Sequence, residues 1–215
     1  MHRIDKTLSW EIDYAPIVAR CHAVSPVERI AFFNAELPPI WSQIYREMSC
    51  RPTDVCVFAF DSFNYVFDYY DSFDNSRHPN HEPKQESRLV TAFGQSAPKR
   101  TSRDDGRLKG WLGPTEKYFG DKWDKGHFIA HSIGGSVNQC EVNVFPQLRA
   151  LNRGRSAEGR KFIAMEKFCR SNAGTFCFHR PFYFDGSSRP AKLEFGFVDG
   201  NGHLTVETFN NQIAV

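Results

Sequence analysis

The chain has 215 residues, 40% of them hydrophobic and 24% charged, which is ordinary for a globular protein with one large domain or two small ones. Its formal net charge is only +2, and no apolar run is long enough for a membrane-spanning helix. The opening residues, MHRIDKTLSWEID, lack the apolar stretch of a signal peptide. The six Cys form no Cys-x-x-Cys pair, so a zinc ribbon is not expected.

The first part of the chain predicts a helix followed by strands. Residues 26–50 are expected to be helical in part, with Pro38 and Pro39 interrupting the helix. Alternating apolar and polar residues over 54–70 predict one long strand or two. The polar, proline-containing stretch 71–88 predicts a loop.

The second part predicts strands around one charged helix. Residues 96–110 are charged and rich in turn formers, which indicates a connector or an arm that touches nucleic acid. We expect a strand within 116–133 and a helix over 156–170 with Ser156 as its cap. Alternation and an Asp-Gly-Asn-Gly turn predict strands and a hairpin over 175–185 and 192–209.

Three short elements follow one another in the middle of this part. The sequence reads DKGH at 124–127, NVFPQ at 143–147 and LNRG at 151–154. A neutral His accepts a proton near neutral pH, and an Asn oxygen is a suitable ligand for the hard ion Mg²⁺. One His and one Asn brought together would therefore suffice for metal-assisted hydrolysis of a phosphodiester.

These ordered elements resemble the DNA/RNA non-specific endonucleases, the ββα-metal nucleases whose signature is Asp-Arg-Gly-His. The resemblance covers roughly residues 118–170 and is strongest to nuclease domains of bacterial secreted toxins. It implies an α+β fold with a mixed or antiparallel sheet and a ββα-metal nuclease domain at 96–215. Residues 1–95 are then an N-terminal region of unknown role, packed on the same domain.

The resemblance also implies an activity and a biological setting. The activity is hydrolysis of DNA, and of RNA as well, with Mg²⁺ as cofactor and Mn²⁺ as a substitute. The setting is that of an antibacterial toxin or effector, met by a cognate immunity protein that blocks the site. We expect synthesis in the cytoplasm without a membrane span, followed by secretion or delivery into target cells by a dedicated system.

Site roles carry over from the family by position. His127 matches the general base that activates water, and Asn152 matches the direct metal ligand. Asn143 matches the Asn that supports the site or contacts phosphate, and Asp124 matches the acid that orients the loop. Lys125 stands where the family usually has Arg, which keeps the positive charge but loses the bidentate fork.

The acid that accompanies the metal departs from the family pattern. The family usually has Glu eight residues after the metal-binding Asn, where this chain has Arg160. Glu158 and Glu166 are the acids available on the predicted helix. We favour Glu158, because it lies nearer to the helix start and to Asn152.

Positive charge is concentrated around this helix. Residues 1–98 hold 9 basic and 13 acidic residues, whereas 99–215 hold 18 and 12. Such a surface attracts a polyanion without sequence preference. The candidates for phosphate contacts are Lys125, Arg153 and Arg155.

Other interpretations of the same residues stay open. Asn143 and Asn152 are also typical caps of local structure, and a charge-rich helix is often only a solvated surface. A nucleic-acid-binding module with a decayed nuclease site would explain Lys125 and Arg160. A zinc-dependent HNH-like nuclease would use His127 together with His131, four residues further on.

Overall fold

The structure is a computed structural model, and it describes residues 9–25, 27–49, 53–69, 86–98, 120–136 and 141–213. Two helices and three strands come first: α1 (Ala15–Cys21), α2 (Arg29–Met48), β1 (Asp54–Phe60), β2 (Phe63–Tyr69) and β3 (Arg88–Gln95). A ββα unit follows: β4 (Trp123–His127), β5 (Val144–Leu148), a short α3 (Arg149–Asn152) and α4 (Ala157–Ser171). Three strands end the described chain: β6 (Phe176–Phe182), β7 (Lys192–Val198) and β8 (Leu204–Asn210).

Six strands form one antiparallel sheet, in the order β1-β2-β3-β6-β7-β8. β4 and β5 pair separately as an antiparallel hairpin. The predicted α+β class with an antiparallel sheet and a ββα unit is therefore confirmed. The predicted boundary at residue 95 coincides with the end of β3. Strands from both sides of this boundary belong to the same sheet, in which β3 lies next to β6. The role of residues 1–95 stays a prediction.

Each face of the large sheet carries its own apolar core. On one face, α1 and α2 pack on the sheet through aromatic side chains, and the tilted rings of Trp41 and Phe178 have their centroids 4.6 Å apart. On the other face, the hairpin and α4 pack on the sheet, and Phe162 of α4 meets Phe195 and Phe209. The ββα unit is thus an excursion between two neighbouring strands, β3 and β6, and it covers one face of the sheet.

A single buried side chain fastens the hairpin to the sheet. Asn211, which directly follows β8, donates to the carbonyls of Pro146 and Pro190 at 3.0 and 2.8 Å. Its amide oxygen accepts the backbone N–H of Leu148 at 2.8 Å. Because buried amides are costly to leave unpaired, these three bonds fix the position of β5 relative to the sheet edge.

The expectation that Pro38 and Pro39 interrupt the first long helix is wrong. α2 runs without a break across both prolines. Each internal proline removes a backbone hydrogen bond, at a typical cost of about 3 kcal/mol. The helix persists because its buried stripe packs on the sheet along its whole length: Phe33, Leu37, Trp41 and Tyr45.

Most other predicted elements are confirmed. The segment 54–70, left open as one strand or two, forms the hairpin β1–β2. Ser156 caps α4 by accepting the N–H of Gly159 at 2.9 Å, and β7–β8 form the predicted hairpin. Strand β3 was not predicted. The predicted loop at 71–88 and connector at 96–110 fall for the most part outside the described residues.

Candidate active site

A pocket of about 390 Å³ opens where the hairpin meets α3 and α4. Three predicted site residues line it together: Lys125 and His127 from β4 and Asn152 from the end of α3. The other lining residues are Ala130, His131, Ser132 and Glu166. Lys125 and His127 share a face because alternate residues of a strand point the same way. The walls are mostly polar, as a site for a charged substrate requires.

Asp124 lies behind this pocket and is almost wholly buried. Its carboxylate accepts Arg153 Nε and Nη2 at 2.7 and 2.8 Å, and Arg149 Nε at 3.0 Å. Asn152 Nδ2 donates to the same carboxylate at 3.1 Å. Burial alone would raise the pKa of Asp124, but these hydrogen bonds outweigh it and hold the pKa below its ordinary value.

The bond to Asp124 decides how Asn152 is oriented. An ionised carboxylate only accepts hydrogen bonds, so the amide nitrogen of Asn152 must face it. The amide oxygen is on the opposite side of the same planar group and is turned away from Asp124. A hard cation such as Mg²⁺ takes oxygen ligands and keeps several waters. An amide oxygen turned away from Asp124, on a side chain that lines a polar pocket together with Glu166, therefore fits such an ion.

Asn143 is enclosed and does not reach the pocket. Its side chain is fully buried, its Oδ1 accepts the N–H of Ile129, and its Nδ2 donates to the carbonyls of Ile129 and Ser136. All three bonds go to the backbone that follows His127, so the amide has no donor left for a phosphate. Of the two roles considered, the geometry is that of support for the loop that carries His131.

Close contacts explain the glycines of this region. A Cβ on Gly126 would lie 2.3 Å from the side-chain oxygen of Gln147, which is buried against it across the hairpin. A Cβ on Gly135 would lie 1.9 Å from the carbonyl oxygen of Ile129. The Gly before His127 and the Gly-Gly after His131 are thus needed for close approach of the backbone.

The two candidate acids of α4 lie in different places. Glu166 is partly buried and lines the pocket with His127 and Asn152. Glu158 is exposed in the first turn of α4 and does not line this pocket. α4 carries Glu166 to the pocket because Gly159 lets its first turns lie against α3, where a Cβ would be 2.4 Å from the carbonyl oxygen of Ala150.

The three residues predicted to contact phosphate also lie in different places. Lys125 lines the pocket, and burial lowers the pKa of its amine. The guanidinium of Arg153 is committed to Asp124, although its side chain is 47% exposed. Arg155 is exposed at the start of the segment that leads into α4 and does not line this pocket.

Arg149, which was not predicted as a site residue, also donates to the carboxylate of Asp124. Arg149, Asn152 and Arg153 bond to one carboxylate, and they are spaced three and four residues apart on α3. Residues at that spacing lie on one helical face. The pattern Arg-x-x-Asn-Arg after a strand was the sequence feature that indicated a shared helical face. Its meaning depended on knowing that Asp124 contacts that face.

His131 lies in a single turn of 3-10 helix, His131–Ile133, and lines the same pocket as His127. Within the described ranges, no three His, Cys, Asp or Glu side chains group closely enough to hold a metal ion. A zinc site of the usual kind needs three or four such ligands. Among the described residues, His127 and His131 are therefore not joined by the third ligand that the zinc alternative requires.

In the part of the chain that the structure describes, no helix combines the length and apolarity needed to cross a bilayer.

No protein-family profile and no curated protein matches this chain. Among solved structures it is similar to Sda1 nuclease with bound zinc ion, at 14% identity and a TM-score of 0.35 over 75% of each chain. It is also similar to an extracellular endonuclease, at 12% identity and a TM-score of 0.36 over 77% of this chain and 81% of that one. Both TM-scores are low, so the proposals on substrate, metal and mechanism rest on the residues of this chain.

Proposed function

We propose that this protein is a metal-dependent endonuclease that hydrolyses DNA, and RNA as well, without sequence preference. The observation that carries the proposal is the shared pocket of Lys125, His127, Asn152 and Glu166. These side chains supply a base, a cation for the phosphate, an oxygen ligand and an acid. They come from three separate elements of the ββα unit, β4, α3 and α4. The fold brings them together, and nearness in the sequence does not.

In this proposal His127 takes the proton from the attacking water, because a neutral imidazole is a competent base near neutral pH. Lys125 contacts the non-bridging oxygens of the phosphate as a point charge. Asp124 holds Asn152 in place, and Asn143 holds the loop after His127. These two act as positioning residues, since neither faces the pocket with an uncommitted polar atom.

Asn152 would hold Mg²⁺ through its amide oxygen, and Glu166 would hold it through the waters that this ion retains. We assign this supporting role to Glu166 in place of Glu158, because only Glu166 lines the pocket. The chemistry that a bound Mg²⁺ supplies is neutralisation of charge on the phosphoryl group and on the leaving oxygen. Mn²⁺, which takes similar ligands, is expected to substitute.

The test is cleavage of supercoiled plasmid and of a structured RNA, with Mg²⁺ or with EDTA. The native chain is compared with His127→Ala and Glu166→Gln, and Glu158→Gln is the matched control on the same helix. We expect metal-dependent cleavage that is lost in the first two variants and retained in the control. Binding that survives EDTA, without cleavage under any divalent metal, would replace the nuclease by a binding module.

The toxin role and the cognate immunity protein are supported only by the resemblance to toxin nuclease domains. Expression of the native chain in a bacterial cytoplasm should arrest growth and degrade the chromosome, whereas His127→Ala should not. Growth arrest by both forms would separate toxicity from the nuclease site.

A further inference from the structure

The structure divides the seven basic residues of 149–170 into those with an acidic partner and those without. Arg149 and Arg153 bind Asp124, and Lys161 binds Glu207 of β8 at 2.5 Å. No described carboxylate pairs with the remaining four, which are exposed: Arg155, Arg160, Lys167 and Arg170. Because paired charges are already neutralised within the fold, only the unpaired ones are available to a polyanion.

Three of the unpaired bases lie on one side of α4. Arg160, Lys167 and Arg170 follow one another at spacings of seven and three, and Ile163, which is 38% exposed, lies between the first two. Residues at i, i+3, i+7 and i+10 share a helical face. We call these four residues the α4 ridge. Lys161 is on another side of the helix, next to the edge of the sheet.

The α4 ridge borders the pocket. Ile163 precedes Glu166 by three residues and Arg170 follows it by four, so both are neighbours of Glu166 on the helix surface. Near the start of the ridge, Ile163 lies against Gly154, two residues after Asn152. The ridge therefore adjoins the pocket, along one of the paths that a strand could take away from a phosphate held there.

We propose that the α4 ridge binds the sugar–phosphate backbone of a polynucleotide beyond the phosphate that is cut. This inference rests on the proposed function and adds to it the residues that hold the polymer away from the bond that is cut. The ten helical steps from Arg160 to Arg170 rise by roughly 15 Å. One strand of B-DNA presents a phosphate about every 3.4 Å along its axis, so the ridge spans about four phosphates.

The test measures binding apart from catalysis. A fluorescent 30-base-pair duplex, as DNA and as RNA, is titrated in EDTA at several salt concentrations between 50 and 200 mM. The native chain is compared with a triple variant, R160Q/K167Q/R170Q, and with the matched single variants K167Q and K161Q. Gln keeps the length and helix propensity of the side chains, and all four positions are exposed or partly exposed, so the helix should be retained.

We expect the triple variant to bind at least tenfold more weakly, with the salt slope reduced by about 2.7, or about 0.9 for each charge on B-DNA. K167Q should reduce the slope by about 0.9 and K161Q should leave it unchanged. In Mg²⁺, the triple variant should show a raised KM for long DNA, with kcat and the cleavage of a dinucleotide retained.

Two results overturn the inference in distinguishable ways. Native binding and cleavage that are matched by the triple variant, or equal losses in K167Q and K161Q, refute the α4 ridge and leave the proposed nuclease intact. A native chain that neither binds nor cleaves nucleic acid refutes the proposed function and the ridge with it.

Discussion

The two faces of the large sheet use the same chemistry for different ends. Under α1 and α2, Glu194 accepts Arg180 Nε and Nη2 at 2.8 and 3.0 Å and the hydroxyl of Tyr14 at 2.5 Å. On the opposite face, Asp124 accepts two arginines and Asn152. Each arrangement places one carboxylate among several donors, yet only the second holds a side chain, Asn152, that lines the polar pocket of His127.

The difference lies in what surrounds the carboxylate. The side chains of Arg180 and Glu194 are 2% and 5% exposed, whereas Arg149 and Arg153 beside Asp124 are 23% and 47% exposed. Burial and the Glu194 carboxylate raise the pKa of Tyr14, so its hydroxyl stays a donor. The first arrangement fastens the N-terminal segment to the sheet, since Arg180 also donates to the carbonyl of Trp10. The second orients a side chain that faces solvent.

The largest effect on stability is expected on the face that α1 and α2 cover. Glu194→Gln leaves Arg180 buried without its counter-ion, and breaking such a pair typically costs about 3–5 kcal/mol. Chemical denaturation should report this loss in the free energy of unfolding. The activity of the folded fraction on DNA should be unchanged, and a large loss of activity per folded molecule would contradict the separation of the two faces.

Asp124→Asn should reduce activity strongly and stability only slightly. Its arginine partners are partly exposed, so we expect a loss of stability of only roughly 1–2 kcal/mol. Activity should fall by about 10–100-fold, because residues that orient a metal ligand have effects of that size. The concentration of Mg²⁺ needed for half-maximal activity should rise as well. A loss of activity at unchanged Mg²⁺ dependence would mean that Asp124 does not act through Asn152.

His179 provides a comparison within one strand. It precedes Arg180, points to the other face, stacks on Phe195 at 4.1 Å and has no described partner for either ring nitrogen. Burial lowers the pKa of His179 from 6.5 to about 3. The unfolded chain therefore takes up a proton that the folded chain refuses, so stability is complete above pH 6.5 and falls as the pH drops towards 3.

At pH 5 this difference in proton uptake corresponds to about 2 kcal/mol. His179→Phe should remove it, because a phenyl ring keeps the stacking without a titrating group. The measurement is the free energy of unfolding at pH 7.5 and at pH 5 for both proteins. If the free energy of unfolding falls equally between pH 7.5 and pH 5 in the native protein and in the variant, His179 is not the group whose protonation the fold disfavours.

Local patterns in the sequence were sufficient for much of the site. The resemblance of the three short elements to the nuclease family indicated Lys125, His127 and Asn152, and these side chains do line one pocket. The roles assigned to them stay predictions. The cap at Ser156 and the turn between β7 and β8 were also predictable, because each depends on residues within a few positions of one another.

Long-range contacts were not accessible in the same way. Which of Glu158 and Glu166 lines the pocket depends on how α4 lies against α3, and the two helices approach closely at Gly159. The commitment of Arg153 to Asp124 joins residues 29 positions apart. The pairing of β3 with β6 spans the whole ββα unit. Packing of α2 on the sheet likewise outweighed the local preference of Pro38 and Pro39 to end a helix.

The smallest effect is expected at the starts of the two long helices, which again differ between the faces. Ser156 caps α4 through its hydroxyl, whereas the residue before α2, Glu28, makes no side-chain cap. Ser156→Ala should lower the free energy of unfolding by about 1 kcal/mol, and Glu28→Ala should change it by less than about 0.5 kcal/mol. Thermal and chemical denaturation of both variants provide the measurement. Activity should survive Ser156→Ala, because Glu166 lies more than two turns further along α4, so a loss of activity at this small cost in stability would show that the pocket depends on the helix start.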